Sequence, residues 1–458
     1  MNKKKKIQKS VLTFTLLFSL GVSSFPLTTA IHADTREEKF AEKKQISLTE
    51  RTSLFFEYLQ QGKYAEALQL TSAAFQSKFT ANTLQNWWTQ SGIKIMGTPI
   101  IKERNLVHQT VEIPGAIEGT TIPLLIKFTP GGKVDEVGER PPQESYIPHP
   151  RYDQPASYQE REIVIGNSTY PLPATLTVPK HKPGEKVPVV VLVHGAGIHD
   201  RDATYLGTKI LRDLAVGLSS NGIAVLRYEK RTLEHALKMS AEPVTLDRDT
   251  TDDAIYAAKS AAQQEGIDPN NIFILGHSQG AGTMPRILSK APSSLVRGSI
   301  LLAPPARPLT DTAIDVSQYL GAPKEVIDEL KRQFAFILDP TFNPDHPPAG
   351  YNFPFPSPHF MYDVTRWRPV EEAKSRKEPL LILQGARDYQ VTVKDEYTKW
   401  QEGLSNRRNV QFKEYPKLNH FFTEGDGELS LPSEYEIPAN VPEYVIQDII
   451  TWVNETKK

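Results

Sequence analysis

The sequence predicts an α/β protein: a mostly parallel, eight-stranded sheet with a helical lid insertion, preceded by a small α+β domain. Three observations predict it. From Tyr158 onward, short apolar runs alternate with stretches of helical spacing, the pattern of a sheet covered on both faces. One of these runs, Val189-Val190-Val191-Leu192-Val193, contains no polar residue, which suits a strand buried on both sides. A second run, Ile272-Phe273-Ile274-Leu275, leads into Gly276-His277-Ser278-Gln279-Gly280 and then into a stretch that can be helical, Ala281 to Lys290. Strand, sharp turn and helix with a serine at the tip is the setting of a nucleophile elbow. Bulk two residues to either side of that serine would not fit, so both positions call for glycine.

The chain has 458 residues, enough for two or three domains, with the apolar and charged fractions of an ordinary globular protein. Residues 1–33 carry Lys3, Lys4, Lys5, Lys6 and Lys9, an apolar stretch from Val11 to Val22, and then small residues. This is the pattern of a secretory signal peptide, with cleavage after Ala30 or Ala33. The apolar core falls short of the ~20 residues that span a bilayer, so no stable membrane insertion is expected after cleavage. Subtracting those five lysines from 53 basic residues leaves 48 against 54 acidic ones, and a mildly acidic protein has no electrostatic reason to prefer nucleic acid. The chain has no cysteine, which removes disulfides, a thiol nucleophile and a lipid-bearing N-terminal cysteine together. A secreted, extracellular protein of a Gram-positive bacterium is the expectation.

Asp34 to Lys44 is charged and reads as a lead-in. Three helices are expected next: Ile46 to Gln60, Tyr64 to Lys78, and one capped by Thr80 that runs to Gln90 and carries Trp87 and Trp88, read as core. The period then shifts toward two, giving strands at Ile93 to Lys102, Leu106 to Ile113, Ile122 to Phe128 and Val134 to Gly138. Residues 34–140 therefore form the small α+β domain. The segment 141–157, with Pro141, Pro142, Pro148, Pro150 and Pro155, is a stiff linker.

Residues 158–458 form the larger domain. Its strands are expected at Glu160 to Ile165, Ala174 to Val178, Val189 to Val193, Ile223 to Tyr228, Ile272 to Leu275, Gly298 to Leu302, Leu380 to Gln384 and Val410 to Tyr415. Helices are expected at Thr208 to Ser219, Leu246 to Gln264, Lys394 to Leu404 and Val441 to Asn454. Residues 304–378 break this alternation with two helices, Thr310 to Leu320 and Lys324 to Leu338, and a Pro- and aromatic-rich stretch. An insertion of that length at such a place is expected to be a functional cover.

A serine nucleophile needs a base, and the base needs an orienting acid. On this kind of sheet the chain order is Ser, acid, His, with the acid just past a strand end. Asp388 follows the strand Leu380 to Gln384, and His420 is the one histidine after it. The catalytic candidates are therefore Ser278, Asp388 and His420. Two backbone donors are needed for the oxyanion. One is expected from Gln279, the other from His194-Gly195-Ala196-Gly197, with Ala196 favoured over Gly195 or Gly197. His199-Asp200-Arg201-Asp202 reads as an ion-paired brace rather than a metal site, since the arginine would repel a cation. Tyr228-Glu229-Lys230-Arg231 lies on the same rim, where its charges either shape the site or cap the sheet. No metal and no cofactor is expected.

From about Tyr158 to its end the chain resembles the α/β-hydrolase superfamily, and within it bacterial serine esterases and acyl peptidase-like hydrolases. The motifs that carry the resemblance are V-L-V-H-G-A-G with H-D-R-D, R-Y-E-K-R, G-H-S-Q-G, L-I-L-Q-G-A-R-D-Y-Q-V and L-N-H-F-F. The resemblance implies an α/β-hydrolase fold with Ser278 as nucleophile, Asp388 as acid and His420 as base. Gln279 and Glu229 depart from it, standing where many relatives carry a leucine-like residue and an aspartate. Leu54 to Pro99 resembles a small domain of unknown function often found ahead of such hydrolases. The expected function is a serine hydrolase that cleaves carboxylic esters of small acyl substrates through an acyl-enzyme. The alternatives are a peptidase or amidase of the same fold, or a non-catalytic cell-surface binding protein whose N-terminal domain could hold the cell wall.

Overall fold

The computed structural model describes residues 46–139, 147–353 and 357–458. The expected signal peptide, the charged lead-in and part of the linker lie outside them. The described residues fall into two compact units, one of 46–139 with 235–242 and one of 147–234 with 243–458. The segment His235–Glu242 thus belongs to the smaller unit, whereas the sequence predicts it in the larger domain. Its local cause is a buried carboxylate: Glu136 accepts the backbone N–H groups of Leu237 at 2.7 Å and Lys238 at 3.2 Å, capping the short helix Ala236–Ser240.

In the smaller unit the helix Leu48–Gln60 starts at a capping box in which Ser47 and Glu50 satisfy each other's backbone donors. Tyr64–Gln69 and Ala73–Gln76 form two short helices instead of the expected one. Between them the backbone is captured by a strand, Ser72 donating to Val134 O at 2.7 Å and Val134 to Leu70 O at 3.0 Å. The helix Ala81–Ser91 follows, and its Trp88 packs on Phe56 with ring centroids 5.9 Å apart. Both Trp87 and Trp88 lie against the core formed by Phe55, Phe75, Val111, Ile126 and Phe128. The expected strand at Ile93 to Lys102 is two pieces, β1 (Lys94–Ile95) and β2 (Ile100–Arg104), both pairing with β3 (Gln109–Ile117). Gly97 sits tight on Pro114 and Pro99 has no N–H to give, so the ladder breaks there. The antiparallel sheet continues through β4 (Thr120–Phe128) to β5 (Val134–Glu139).

The larger unit is built on β6 (Tyr158–Gly166), β7 (Pro171–Pro179), β8 (Val187–Val193), the two-residue hairpin β9 (Thr204–Tyr205) and β10 (Thr208–Lys209), β11 (Ala224–Tyr228), β12 (Ile267–His277), β13 (Gly298–Leu302), β14 (Leu380–Gly385) and β15 (Val410–Tyr415). Eight of these make one sheet in the order β15-β14-β13-β12-β8-β11-β7-β6. β7 pairs antiparallel with both neighbours, and every other pairing is parallel. Alternation explains the apolar runs. Val189, Val191, Ile272 and Ile274 face one core with the helix Asp252–Ala262 and Trp400. Val190, Leu192, Phe273 and Leu275 face the other with the helices Ile210–Ser219 and Glu443–Thr456.

Two expected α-helices open with a π turn, Asp247–Thr251 before Asp252–Ala262 and Val393–Tyr397 before Thr398–Gly403. The insertion after β13 holds the helices Leu309–Tyr319, Lys324–Leu338, Pro358–Arg366 and Pro369–Lys374, with Phe334, Ile337, Phe342, Phe360 and Met361 as a small core. Its base is pinned by the buried Glu396, which accepts the N–H of Ala306 at 2.6 Å and of Arg307 at 2.9 Å. No helix among the described residues is long and apolar enough to cross a membrane.

Candidate active site

β12 ends at His277, and the helix Gln279–Gly282 starts one residue later. Ser278, between them, has φ 53° and ψ −119°, a conformation that L-residues rarely adopt. It is held there by Ser278 N donating to Leu302 O and Gly282 N to Ser278 O, each at 2.9 Å. The flanking glycines are required by contact. A Cβ on Gly276 would lie 2.5 Å from the Gly280 carbonyl, and one on Gly280 would lie 2.5 Å from His194 O. The helix breaks at Thr283 and resumes as Met284–Lys290, because Pro285 has no N–H to continue it.

Asp388 lies in the turn after β14 and His420 in the loop after β15. The two are bonded, His420 Nδ1 to Asp388 Oδ2 at 2.7 Å, with the aspartate fully buried and the histidine 3% exposed. The other oxygen of Asp388 accepts the N–H of Gln390 at 2.7 Å and of Val391 at 2.9 Å, and Gln384 Nε2 donates to Oδ2 at 3.3 Å. The carboxylate is thus fixed before it meets the histidine. The His420 loop is a tight turn, Phe422 N to Asn419 O at 3.0 Å, with Phe422 at φ 57° and Asn419 Oδ1 accepting from Phe421 and Thr423 at 3.1 Å each.

His277 joins this turn to the elbow. Its Nε2 donates to His420 O at 2.8 Å, and the two rings are 4.8 Å apart. A carbonyl oxygen only accepts, so the contact fixes the His277 tautomer. Burial, aided by the nearby His420, holds His277 well below the usual histidine pKa and so neutral. Nothing in the sequence marks this residue, since a histidine one step before the serine carries no spacing signal of its own. His420 is thereby placed beside the residue preceding Ser278, although Ser278 Oγ and His420 share no hydrogen bond in this structure. Such bonds are often long until substrate binds.

The loop after β8 packs against the elbow: a Cβ on Gly195 would lie 3.2 Å from Ser278 Cβ. Its three carbonyls are all bonded. Lys230 Nζ donates to Gly195 O and Gly197 O at 2.9 Å each, and His199 Nε2 donates to Ala196 O at 2.8 Å. Burial, with the charge of Lys230 adding to it, lowers His199 to about 4. Burial also holds His194 far below its ordinary value, the neighbouring His199 adding to the effect. The other expected donor, Gln279 N–H, is at the first position of its helix, where no intrahelical acceptor exists.

The H-D-R-D stretch is paired throughout. Arg201 bridges Glu229 and Glu162 at 2.6 Å each, Asp202 pairs with Arg227, and Asp200 accepts from Thr204 N at 2.8 Å. Burial, opposed by Arg201, pushes Glu229 up to about 7. In the smaller unit, His108, Asp135 and His235 bring ligand-type atoms within 4.8 Å of one another. That group is already an internal ion network. Asp135 Oδ2 meets His108 Nε2 at 2.9 Å and the fully buried Lys238 Nζ at 2.6 Å, while Ser72 bonds its other oxygen. Burial would raise the Asp135 pKa, but these bonds and the lysine charge hold it well below the carboxylate range. An ammonium in contact with the only carboxylate of the set opposes a metal cation.

The Alpha/beta hydrolase family model matches residues 190–429. Esterase EstD of Thermotoga maritima is 31% identical over 407 residues, spanning 87% of this chain and 94% of that protein. Among solved structures, Pyrococcus horikoshii acylaminoacyl peptidase aligns with a TM-score of 0.47 at 16% identity over 77% of this chain and 54% of its own, so this chain spans about half of that peptidase. Est1E from Butyrivibrio proteoclasticus aligns with a TM-score of 0.42 at 17% identity over 64% of this chain and 98% of its own. With more than half of its length inside the family match and a relative aligned over nearly its whole extent, this chain belongs to the α/β-hydrolase family.

Proposed function

We propose that the protein is a secreted serine esterase working through an acyl-enzyme. The observation that carries this reading is the 2.7 Å bond between His420 and Asp388 beside a serine in a strained strand-to-helix turn. Ser278 Oγ attacks the ester carbonyl carbon, and its proton passes to His420 Nε2. Asp388 holds the ring with Nε2 free for that proton and stabilises the imidazolium that forms. The oxyanion accepts from the N–H groups of Gln279 and Ala196. The alcohol leaves with the proton from His420, and water, activated by the same histidine, then releases the acid. The kinship with Esterase EstD favours an ester as the bond cleaved. The helical insertion covers the acyl group, the leader 1–33 directs export, and the smaller unit serves attachment to the cell wall.

Comparing kcat/KM on short p-nitrophenyl esters and on aminoacyl anilides with the purified protein tests the reading. Faster turnover of the esters supports it. Turnover of anilides at equal or greater rate would move the assignment to amide bonds, and no turnover of either would remove it. Deleting residues 34–140 tests the attachment role: cell-wall binding lost with ester turnover kept supports it, binding kept contradicts it, and lost folding would mean that the smaller unit is structural.

A further inference from the structure

Lys230 and Asp249 form a buried ion pair, Nζ to Oδ2 at 3.1 Å, that the proposed reaction does not use. The pair touches both loops from which the oxyanion donors would come. On one side Lys230 Nζ donates to Gly195 O and Gly197 O. On the other, the same oxygen of Asp249 accepts from Gln279 Nε2 at 2.5 Å, and Thr250 Oγ1, itself bonded to Asp249 at 2.8 Å, lies 3.1 Å from that amide. The ammonium has three donors, and two carbonyls with one carboxylate match them. An ion pair this deep is tolerated only with such partners around it.

The direction of the loop's donors follows from the peptide unit. In a planar trans peptide the C=O and N–H point opposite ways. Turning Gly195 O onto Lys230 turns the N–H of Ala196 away from it. On the elbow side, the Gln279 side chain is drawn to Asp249 while its backbone N–H opens the helix. Asp249 reaches both partners from the π turn Asp247–Thr251, a helix irregularity that recurs at functional sites.

We propose that Lys230 and Asp249 are positioning residues that set the spacing between the two oxyanion donors, Ala196 N–H and Gln279 N–H, by tying the loop 195–197 to the Gln279 side chain. The inference rests on the serine-hydrolase reading above. It also accounts for glutamine at position 279, since its amide reaches Asp249 and a leucine-like side chain would have no donor to offer.

The test measures kcat and KM on p-nitrophenyl acetate together with the affinity of phenylboronic acid. That probe's trigonal boron takes up the serine oxygen to give a tetrahedral adduct with an oxygen in the oxyanion position. Lys230→Met should lower kcat on the order of 100-fold, with KM moving less than about three-fold and boronate affinity falling in parallel with kcat. Gln279→Ala should lower both several-fold. The double variant should be little worse than Lys230→Met alone, because both changes cut one tie. Unchanged kcat and boronate affinity per folded molecule in Lys230→Met, a rise in KM alone, or fully additive losses would each overturn the proposal. If Lys230→Met does not fold, Gln279→Ala decides, and unchanged boronate affinity there overturns it. Fluorophosphonate labelling of the unmodified protein separates the two levels. No adduct at Ser278 sinks the hydrolase reading itself, whereas an adduct with boronate affinity unmoved by the substitutions sinks only the tie.

Discussion

Ser278 sits at φ 53° and ψ −119°, where a side chain costs about 1–3 kcal/mol and a glycine costs little. Ser278→Ala keeps the Cβ and hence the strain, whereas Ser278→Gly releases it. Both variants should lose ester turnover by at least about 10⁴-fold. Ser278→Gly should be the more stable of the two by about 1 kcal/mol in denaturant unfolding. Equal stability would mean the turn is unstrained. Gly280→Ala places a methyl 2.5 Å from His194 O and should destabilise the protein by at least about 2 kcal/mol in the same measurement. At this scale the glycines were readable, because one five-residue motif demands them. For Lys230 the sequence leaves open whether its charge shapes the site or caps the sheet, because a lysine at a strand end has the same spacing signal whether it is solvated or buried against backbone carbonyls.

Elements position the candidate groups through a few contacts that cross from one to the next. His277, at the end of β12, holds the turn that carries His420 by a single N–H. His277→Phe would leave that buried carbonyl without its donor, and the expected loss is about 1–3 kcal/mol of stability together with a fall in kcat, read by thermal unfolding and by ester turnover. The insertion is footed similarly: Trp367 Nε1 donates to Gly282 O at 2.9 Å, just behind the elbow. If the insertion covers the acyl group, Trp367→Phe should reduce kcat/KM on long-chain esters several-fold while leaving the acetyl ester nearly unchanged; an equal loss on both would count against a cover. Strand positions were legible because a sheet buried on both faces leaves unbroken apolar runs. The π turns at Asp247–Thr251 and Val393–Tyr397 were not, since one extra residue per turn barely alters helical spacing.

At the scale of the whole molecule, the eight-stranded sheet and its covering helices followed from alternation alone. Which unit takes His235–Glu242 did not, since it depends on buried polar partners such as Glu136 and Asp135, far away in sequence. The larger unit also carries a pH dependence. His194, His199 and His277 are held by burial below the ordinary histidine value of 6.5, His199 to about 4. The unfolded chain takes up protons near pH 6.5 and these folded sites do not, so their contribution to stability falls as pH drops from 6.5 toward 4. Burial raises Glu229 to about 7 and Asp253 to about 6, which works the other way: the folded state keeps protons that the unfolded chain has lost, and stability falls as pH rises through that range. A single-site comparison isolates the histidine contribution. Between pH 7.5 and 5, His199→Gln should lose on the order of 1–2 kcal/mol less stability than the parent in urea unfolding. An identical loss would mean His199 titrates normally in the folded protein. Whether Ser278, His420 and Asp388 act as one unit is read from the rate at which a fluorophosphonate labels the protein, with the site identified by mass spectrometry. A single adduct on Ser278 is expected, forming orders of magnitude more slowly in His420→Ala and markedly more slowly in Asp388→Asn. Labelling at the parent rate in His420→Ala, or no adduct on Ser278 in the parent, would contradict it.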